Sequence, residues 1–350
     1  MKIAVGLSGG VDSSIAALIL KEQGHDVIGV IMQIYSGDLP GGENKNACYG
    51  PDEEEDIAAA ENVSKTIGIP FHVIDLRKEY RAVVLDYFRS EYARGRTPNP
   101  CVRCNAQMKF GFLISRAHEL GIDFSLFATG HYARVENADG RYILKRAVDG
   151  KRDQSYFLGF LTQEILARVC FPLGAMGKDA VRAKAKEYGL FTHDKPDSQD
   201  FAGGDYKVLI GDPGKSGEIK DVNGNVLGTH NGIANYTIGQ RRGLGIAHAT
   251  PLYVVRIDAE TNSVIVGNDT ALFRAGFTAS DMNYIAAKPA SSPKHMTVKI
   301  RSTHEGAGCT VYPEENRVRV VFDEPERAVT PGQAAVFYDG DEVIGAGIID

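Results

Sequence analysis

Two rhythms of apolar and polar positions divide the chain. Up to about residue 200, short apolar runs alternate with longer segments of helical spacing. The pattern predicts a strand over 2–7, a helix over 12–23 stopped at Gly24, and a second strand over 26–34. A Gly-rich loop, 36–50, precedes a helix over 52–67, whose first residues, Asp52, Glu53, Glu54 and Glu55, suit the positive end of a helix. Phe71–Leu76 reads as a strand, 78–94 and 105–120 as helices, and Ser125–Thr129 as a buried strand. This alternation predicts an α/β fold: a parallel, doubly wound sheet with helices on both faces. Beyond it the helical spacing gives way to short strands with turn signals at Asn223-Gly224 and Asp339-Gly340, and Arg317–Phe322 alternates weakly. The expected organisation is a catalytic domain over 1–200, a small central domain over 201–272 and a C-terminal β-barrel over 273–350.

Composition narrows the function classes. Of 350 residues, 43% are hydrophobic and 24% charged, as in soluble globular proteins. No apolar run approaches the ~18–20 residues of a membrane span. Met1-Lys2-Ile3-Ala4-Val5 reads as a first core strand rather than a signal peptide, which places the protein in the cytoplasm, with no membrane partner. The five cysteines, an odd number without a secretion signal, argue against a disulfide framework. The net charge of −6 provides no global attraction to nucleic acid, so an RNA partner would need local basic patches.

Chemistry concentrates first at Gly6-Leu7-Ser8-Gly9-Gly10-Val11-Asp12-Ser13-Ser14, between the first strand and the first helix. Glycines let the backbone turn tightly and approach a phosphate, and the helix start presents free N–H groups. Ser8, Ser13 and Ser14 add hydroxyls. Asp12 is out of place in an anion site unless it holds Mg²⁺ or orients the loop. On an exposed loop, its removal is expected to leave the fold intact. No Gly-Lys-Ser/Thr follows, which excludes a Walker A loop, and the dinucleotide spacing is absent too. The string S-G-G-x-D-S-S resembles the pyrophosphatase loop of enzymes that cleave ATP between the α- and β-phosphates and transfer AMP.

A second feature is Thr97-Pro98-Asn99-Pro100-Cys101-Val102-Arg103-Cys104-Asn105, a Pro-punctuated loop before a helix. Cys104 is expected near the helix start, with Arg103 adjacent and Lys109 a turn on, a setting that lowers a thiol pKa. Cys170 and Cys309 lie in apolar surroundings and read as structural.

Taken with Ala128-Thr129-Gly130-His131-Tyr132-Ala133-Arg134, Asp153-Gln154-Ser155-Tyr156-Phe157-Leu158, Gly239-Gln240-Arg241-Arg242-Gly243-Leu244-Gly245 and Thr330-Pro331-Gly332-Gln333-Ala334-Ala335-Val336, this loop resembles those of the tRNA-specific 2-thiouridylases over essentially the whole chain. The resemblance implies a pyrophosphatase-loop domain, a small central domain and a C-terminal β-barrel. It also implies ATP-dependent conversion of the wobble uridine of tRNAs for Lys, Glu and Gln to 2-thiouridine. ATP would be bound by Gly6, Leu7, Ser8, Gly9, Gly10, Val11, Asp12 and Ser13, with Met32 and Gly130 near the adenosine. Asn99, Pro100 and Cys101 would border the target base. Arg152, Asp153, Gln154, His131, Arg301, Ser302 and Gln333 would touch the tRNA, and Arg241 and Arg242 would supply the local basic charge. The catalytic candidates are Cys104, Cys101 and Asp12.

The chain departs from the family in two places. Cys101 stands where the family has an Asp in Asp-x-x-Cys, and Lys195–Tyr206 lacks the family's second catalytic cysteine. Cys48, Cys101 and Cys104 are expected at the same carboxyl edge of the sheet, where ligands gather in open α/β folds. Three thiolates would hold an iron–sulfur cluster with one iron open to sulfide. Zinc, for which no fourth ligand is evident, and a metal-free Cys101–Cys104 redox pair are the alternatives.

The expected reaction is attack of the uridine C2 oxygen on the α-phosphate of Mg²⁺-bound ATP, loss of pyrophosphate, then displacement of AMP by sulfur from a donor protein or from sulfide. A small-molecule ligase or amidotransferase sharing the loop would have no need of the barrel or the paired cysteines. A noncatalytic tRNA-binding protein would have no need of an intact Ser8–Ser14 loop.

Overall fold

The computed structural model describes residues 1–37, 47–194, 201, 206–285 and 292–350, which form two compact units. The first unit comprises 1–84, 101–206 and 341–343; the second comprises 85–100, 207–340 and 344–350.

The first unit is built on a parallel sheet of order β3-β2-β1-β4-β7. Its strands are β1 (Lys2–Gly6), β2 (Asp26–Gln33), β3 (Phe71–Asp75), β4 (Leu126–Thr129) and β7 (Val169–Cys170). Ile3, Ala4 and Val5 of the central strand β1 are almost wholly buried, as a strand covered on both faces requires. Helix α1 (Val11–Glu22) contributes Ile15, Ala16, Ala17 and Leu18 to the same core, and α8 (Lys178–Glu187) adds Val181 and Ala185. Helix α2 (Glu53–Ile67) ends at Gly68, whose φ of 74° closes it in the left-handed conformation. Glu53 does more than face a helix dipole. Its Oε1 accepts from the N–H groups of Ile34 and Tyr35 at 2.6 and 2.9 Å, tying the end of β2 to the start of α2.

Two helical segments depart from the expected boundaries. Arg77–Tyr80 is α3, Asp86–Ala93 is α4, and a π-helical turn, Arg81–Leu85, connects them. The cysteine segment is no loop: α5 (Pro100–Arg103), a π-helical stretch (Cys104–Phe112) and α6 (Leu113–Glu119) follow without a break. Pro100 fits a helix's first position because its missing N–H would have no intrahelical acceptor there. A β5 (Ala133–Ala138) and β6 (Arg141–Arg146) hairpin interrupts the alternation before residue 200, and a short α7 (Gln163–Leu166) leads into β7.

The second unit contains α9 (Lys207–Ile210) and a four-stranded sheet of order β10-β11-β8-β9. These strands are β8 (Gly217–Asp221), β9 (Val226–His230), β10 (Tyr253–Asp258) and β11 (Ser263–Gly267). The expected Asn223-Gly224 turn joins β8 to β9, with Gly224 at φ 89°. The remaining strands are β12 (Phe273–Tyr284), β13 (Lys294–Lys299), β14 (Ala307–Pro313), β15 (Val318–Arg327), β16 (Ala334–Asp339) and β17 (Glu342–Ile349). They run in the order β12-β15-β14-β13-β16-β17, and β12 pairs back onto β17 to close a barrel. Val298, Cys309, Val320, Ala335 and Phe337 fill its interior. Among the described residues, no helix is long and apolar enough to cross a membrane.

Candidate active site

The register of the parallel sheet sets Gly6 beside Thr129 and Val30, so the carboxyl ends of β1, β2 and β4 lie side by side. Gly6–Ser13, Met32 and Gly130 therefore share one edge. Gly9 adopts φ 69°, and a Cβ there would lie 2.6 Å from the Asp56 carbonyl oxygen. Only glycine fits both constraints. The loop is braced internally. The Ser8 N–H donates to the Ser13 hydroxyl at 3.1 Å, and the Ser14 hydroxyl donates to the Gly10 carbonyl at 2.8 Å. The N-cap of α1 is Gly10, which makes no side-chain capping bond to the N–H groups of the first turn. Gly130 follows β4 at the closest approach to that helix: a Cβ would lie 2.6 Å from the Ser13 nitrogen and 2.7 Å from the Asp12 carbonyl carbon. Its small size is required by the α1 backbone.

Asp12 is not a free loop carboxylate. Lys178 Nζ reaches its Oδ1 at 2.8 Å and its Oδ2 at 2.7 Å, and the Tyr132 hydroxyl donates to Oδ1 at 2.8 Å. The Lys178 side chain is only 6% exposed and that of Asp12 28%. The expectation that Asp12 could be removed without cost to the fold is therefore corrected, because its loss removes two carboxylate contacts from a buried ammonium. Lys178 went unnoticed in the sequence. It lies 166 residues from Asp12, and its one local signal is a cation in the first turn of α8, where an acidic residue would be favoured.

Around Tyr132, the residues expected to touch tRNA divide. The Gln154 side-chain oxygen accepts from the Tyr132 N–H at 2.9 Å, and the Gln154 N–H donates to the Tyr132 carbonyl at 2.9 Å. Asp153 accepts from the N–H groups of Ala147 and Ser155, both at 3.1 Å, and from the Ser155 hydroxyl at 3.0 Å. These two side chains hold the turn that carries Tyr132, whereas Arg152 is exposed. His131 sits 2.7 Å from the Thr129 hydroxyl, between Phe110 and Phe171. Burial, with Lys109 adding to it, holds its pKa well below the usual imidazole range, so it is neutral at physiological pH.

Cys48, Cys101 and Cys104 all belong to the first unit, and none of the chain's cysteines is in a disulfide. Each lies near enough to the buried Tyr80 phenol that its negative charge would raise that group's pKa, and Cys48 acts likewise on Cys104. Tyr80 stacks on Tyr49, the residue after Cys48, with ring centroids 5.3 Å apart. All three thiols thus act on the same buried phenol, Tyr80. The expected lowering of the Cys104 pKa is corrected. Burial pushes this thiol up to about 11, outweighing the favourable charge of Lys109. Cys104 is the fifth residue of a continuous helix that starts at Pro100, and Arg103 turns away to donate to the Val83 carbonyl at 2.8 Å. Among the described residues, no three His, Cys, Asp or Glu side chains are arranged to hold a metal ion. Lys195–Asp200 and Ala202–Asp205, where the family's second cysteine is absent from the sequence, lie outside the described residues.

In the second unit the remaining motifs meet at Thr97. The Gln333 side chain donates to the carbonyls of Thr97 and Pro98 at 2.9 and 3.4 Å, and the Thr97 N–H donates to the Pro331 carbonyl at 2.8 Å. The Thr97 and Thr237 hydroxyls lie 3.3 Å apart. Gln333 therefore shapes the backbone that leads into Asn99. Arg241 and Arg242 are exposed on a turn closed by the Gln240 side chain, which donates to the Arg242 carbonyl at 2.9 Å. Arg301, half-buried like its neighbour Ser302, donates to the Arg327 carbonyl at 3.2 Å.

Comparison with known proteins matches three family models along the chain. These are the tRNA methyl transferase HUP domain at 1–202, the tRNA methyl transferase PRC-barrel domain at 211–268 and the aminomethyltransferase beta-barrel domain at 274–349. The tRNA-specific 2-thiouridylase MnmA of Geobacter metallireducens is 49% identical over 361 residues, covering 100% of this chain and 96% of the relative. That of Endomicrobium trichonymphae is 45% identical over 356 residues, covering 100% and 99%. Among solved structures, the U34-tRNA thiolase NcsA from Methanococcus maripaludis with its 4Fe–4S cluster is 20% identical, covers 60% of this chain and 63% of that one, and has a TM-score of 0.37, too distant a likeness to bear on chemistry. The full-length matches at this identity establish that the chain belongs to the tRNA-specific 2-thiouridylase family.

Proposed function

We propose that the protein uses ATP to convert the wobble uridine of tRNAs for Lys, Glu and Gln to 2-thiouridine. The observation that carries this reading is the meeting, in one unit, of a braced pyrophosphatase-type loop with a cluster of three thiols, in a chain that matches 2-thiouridylases throughout. The uridine C2 oxygen attacks the α-phosphate, the bond to the bridging oxygen breaks, and pyrophosphate leaves. The N–H groups at the start of α1 lie where charge builds on the phosphates. Sulfur at the hydrosulfide level then forms a bond to C2. The C2–O bond breaks, AMP leaves with the former carbonyl oxygen, and the sulfur's proton passes to solvent. Mg²⁺ would be held by the phosphates and Asp12, and when bound it offsets phosphate charge.

For sulfur delivery, the buried Cys104 thiol is almost wholly protonated at neutral pH, which disfavours it as an unassisted nucleophile. Metal binding displaces a thiol proton, so the reading favoured here is that Cys48, Cys101 and Cys104 hold an iron–sulfur cluster. Three thiols that act on one phenol, Tyr80, are the donor chemistry such a group takes. Bound there, it would offer an iron that takes up sulfide. The sulfur comes from a donor protein or from sulfide itself. Arg241, Arg242, Arg301 and Ser302 contribute tRNA contacts, and Asn99 and Pro100 border the base.

Pyrophosphate release from ATP tests the first half of the reading. It is expected only with tRNA present. Release without tRNA would favour a small-molecule ligase, and none in either case a tRNA-binding protein.

A further inference from the structure

Tyr80 is a buried phenol that the reaction above does not use. It ends α3, is 1% exposed, and borders both segments that carry the three thiols. Its ring stacks on that of Tyr49, the residue after Cys48, with the planes 6° apart and the centroids at 5.3 Å. Helix α3 also packs on the π-helical stretch that begins at Cys104. Arg103 fastens that stretch to the turn after Tyr80 by donating to the Val83 carbonyl at 2.8 Å. Negative charge on Cys104, Cys48 or Cys101 would raise the pKa of this phenol, so all three sulfurs act on it. Yet among the described residues the Tyr80 hydroxyl has no hydrogen-bond partner. Packing accounts for the ring and leaves the hydroxyl unexplained. A phenylalanine would stack as well without burying an O–H that lacks an acceptor, which is destabilising. A buried donor of this kind implies an acceptor that arrives in the working protein. Beside three sulfur side chains, the fitting acceptor is a sulfur anion, because its charge makes the hydrogen bond a strong one and burial strengthens it further.

We propose that the Tyr80 hydroxyl binds the incoming sulfur, donating a hydrogen bond to hydrosulfide and holding it for attack on C2 of the uridine. The proposal rests on the reading that Cys48, Cys101 and Cys104 handle sulfur. A phenol is protonated at neutral pH and keeps its proton here. One hydrogen bond forms as the anion enters and breaks as the sulfur leaves on C2. Tyr80 therefore serves the second half of the reaction alone, and adenylation at residues 6–13 does not depend on it.

The test compares Tyr80→Phe with the wild type, each as the full chain purified without oxygen, with sodium sulfide as the sulfur source. The sulfide concentration for half-maximal 2-thiouridine formation should rise on the order of 10-fold or more, the size of one hydrogen bond to a charged group. Pyrophosphate release that depends on tRNA, measured without sulfide, should stay within about twofold. Without sulfide the variant should melt no lower than the wild type, since it loses only an unpartnered group. Binding is read separately, without tRNA or ATP. With 3-fluorotyrosine placed at position 80 alone, the fluorine resonance should shift as sodium sulfide is added and not with sodium chloride. An unchanged sulfide midpoint in Tyr80→Phe would overturn the proposal. So would an equal loss of pyrophosphate release and thiolation, or a lower melting temperature, either of which marks a structural role. A resonance that ignores sulfide would do the same, and this arm stands if Tyr80→Phe fails to fold. If the wild type forms no 2-thiouridine from sulfide while the resonance responds to it, the reading of the reaction falls and the sulfide site at Tyr80 is upheld.

Discussion

Asp12→Ala should destabilise the nucleotide-free protein. The substitution leaves the Lys178 ammonium, 6% exposed, without the two carboxylate contacts at 2.7 and 2.8 Å, and removes the acceptor of the Tyr132 hydroxyl. Breaking a fully buried pair from one side costs about 3–5 kcal/mol. The Asp12 side chain is 28% exposed, so water and salt already screen part of the interaction, and about 2–3 kcal/mol is the expected loss. At about 2–4 °C per kcal/mol for a domain of this size, the first unit should melt roughly 4–12 °C lower. Differential scanning calorimetry without nucleotide measures this. A single Asp12→Ala variant melting within about 1 °C of the wild type would refute the reasoning, because the pair would then contribute less than an exposed one.

Other expectations concern neighbouring parts of the site. Gly130→Ala places a methyl group 2.6 Å from the Ser13 nitrogen, so α1 must shift; about 1–3 kcal/mol of stability should be lost, with weakened ATP binding, measured by urea unfolding and nucleotide titration. In metal-free protein the Cys104 thiol, pushed up to about 11, should be alkylated by iodoacetamide slowly at pH 7 and faster as pH rises towards that value; rapid reaction at pH 7 would contradict its burial. The raised thiol pKa values of Cys104 and Cys170, each about 11, and of Cys309, about 12, contribute stability that is fully present below the ordinary value of 9.0 and is lost as pH rises through the folded values, so unfolding free energy should fall steadily above pH 9. Arg241→Ala and Arg242→Ala should weaken tRNA binding in proportion across cognate tRNAs and each lower the magnitude of the salt slope by about 1; a wild-type affinity insensitive to salt would contradict phosphate contacts.

Much of this was legible in the sequence because the signals are local. The Gly9-Gly10 turn, the apolar run of β1 and the Asn223-Gly224 hairpin each follow from residues adjacent in the chain. Where long-range packing decides, the sequence was a poorer guide. Arg103 and Lys109 flank Cys104 and promised a reactive thiolate, but burial, which the segment does not reveal, outweighs them. Pro100 read as a loop residue because prolines cluster there, yet it is equally at home opening a helix. Asp153, Gln154 and Gln333 stood in motifs associated with tRNA, and the structure shows each fixing backbone: the first two around Tyr132, the third at Thr97. Lys178 carried almost no local signal, since its meaning depends on a partner at the other end of the domain.

The central claim, ATP-dependent replacement of the C2 oxygen of the wobble uridine by sulfur, is tested most directly by mass spectrometry of nucleosides from tRNA incubated with the purified protein, ATP, Mg²⁺ and sulfide. Protein purified and assayed without oxygen should produce 2-thiouridine at the wobble position of tRNAs for Lys, Glu and Gln, with one AMP and one pyrophosphate formed per sulfur inserted and no product when ATP is omitted. Thiolation that proceeds without ATP, or sulfur at another base or another ring position, would contradict the account.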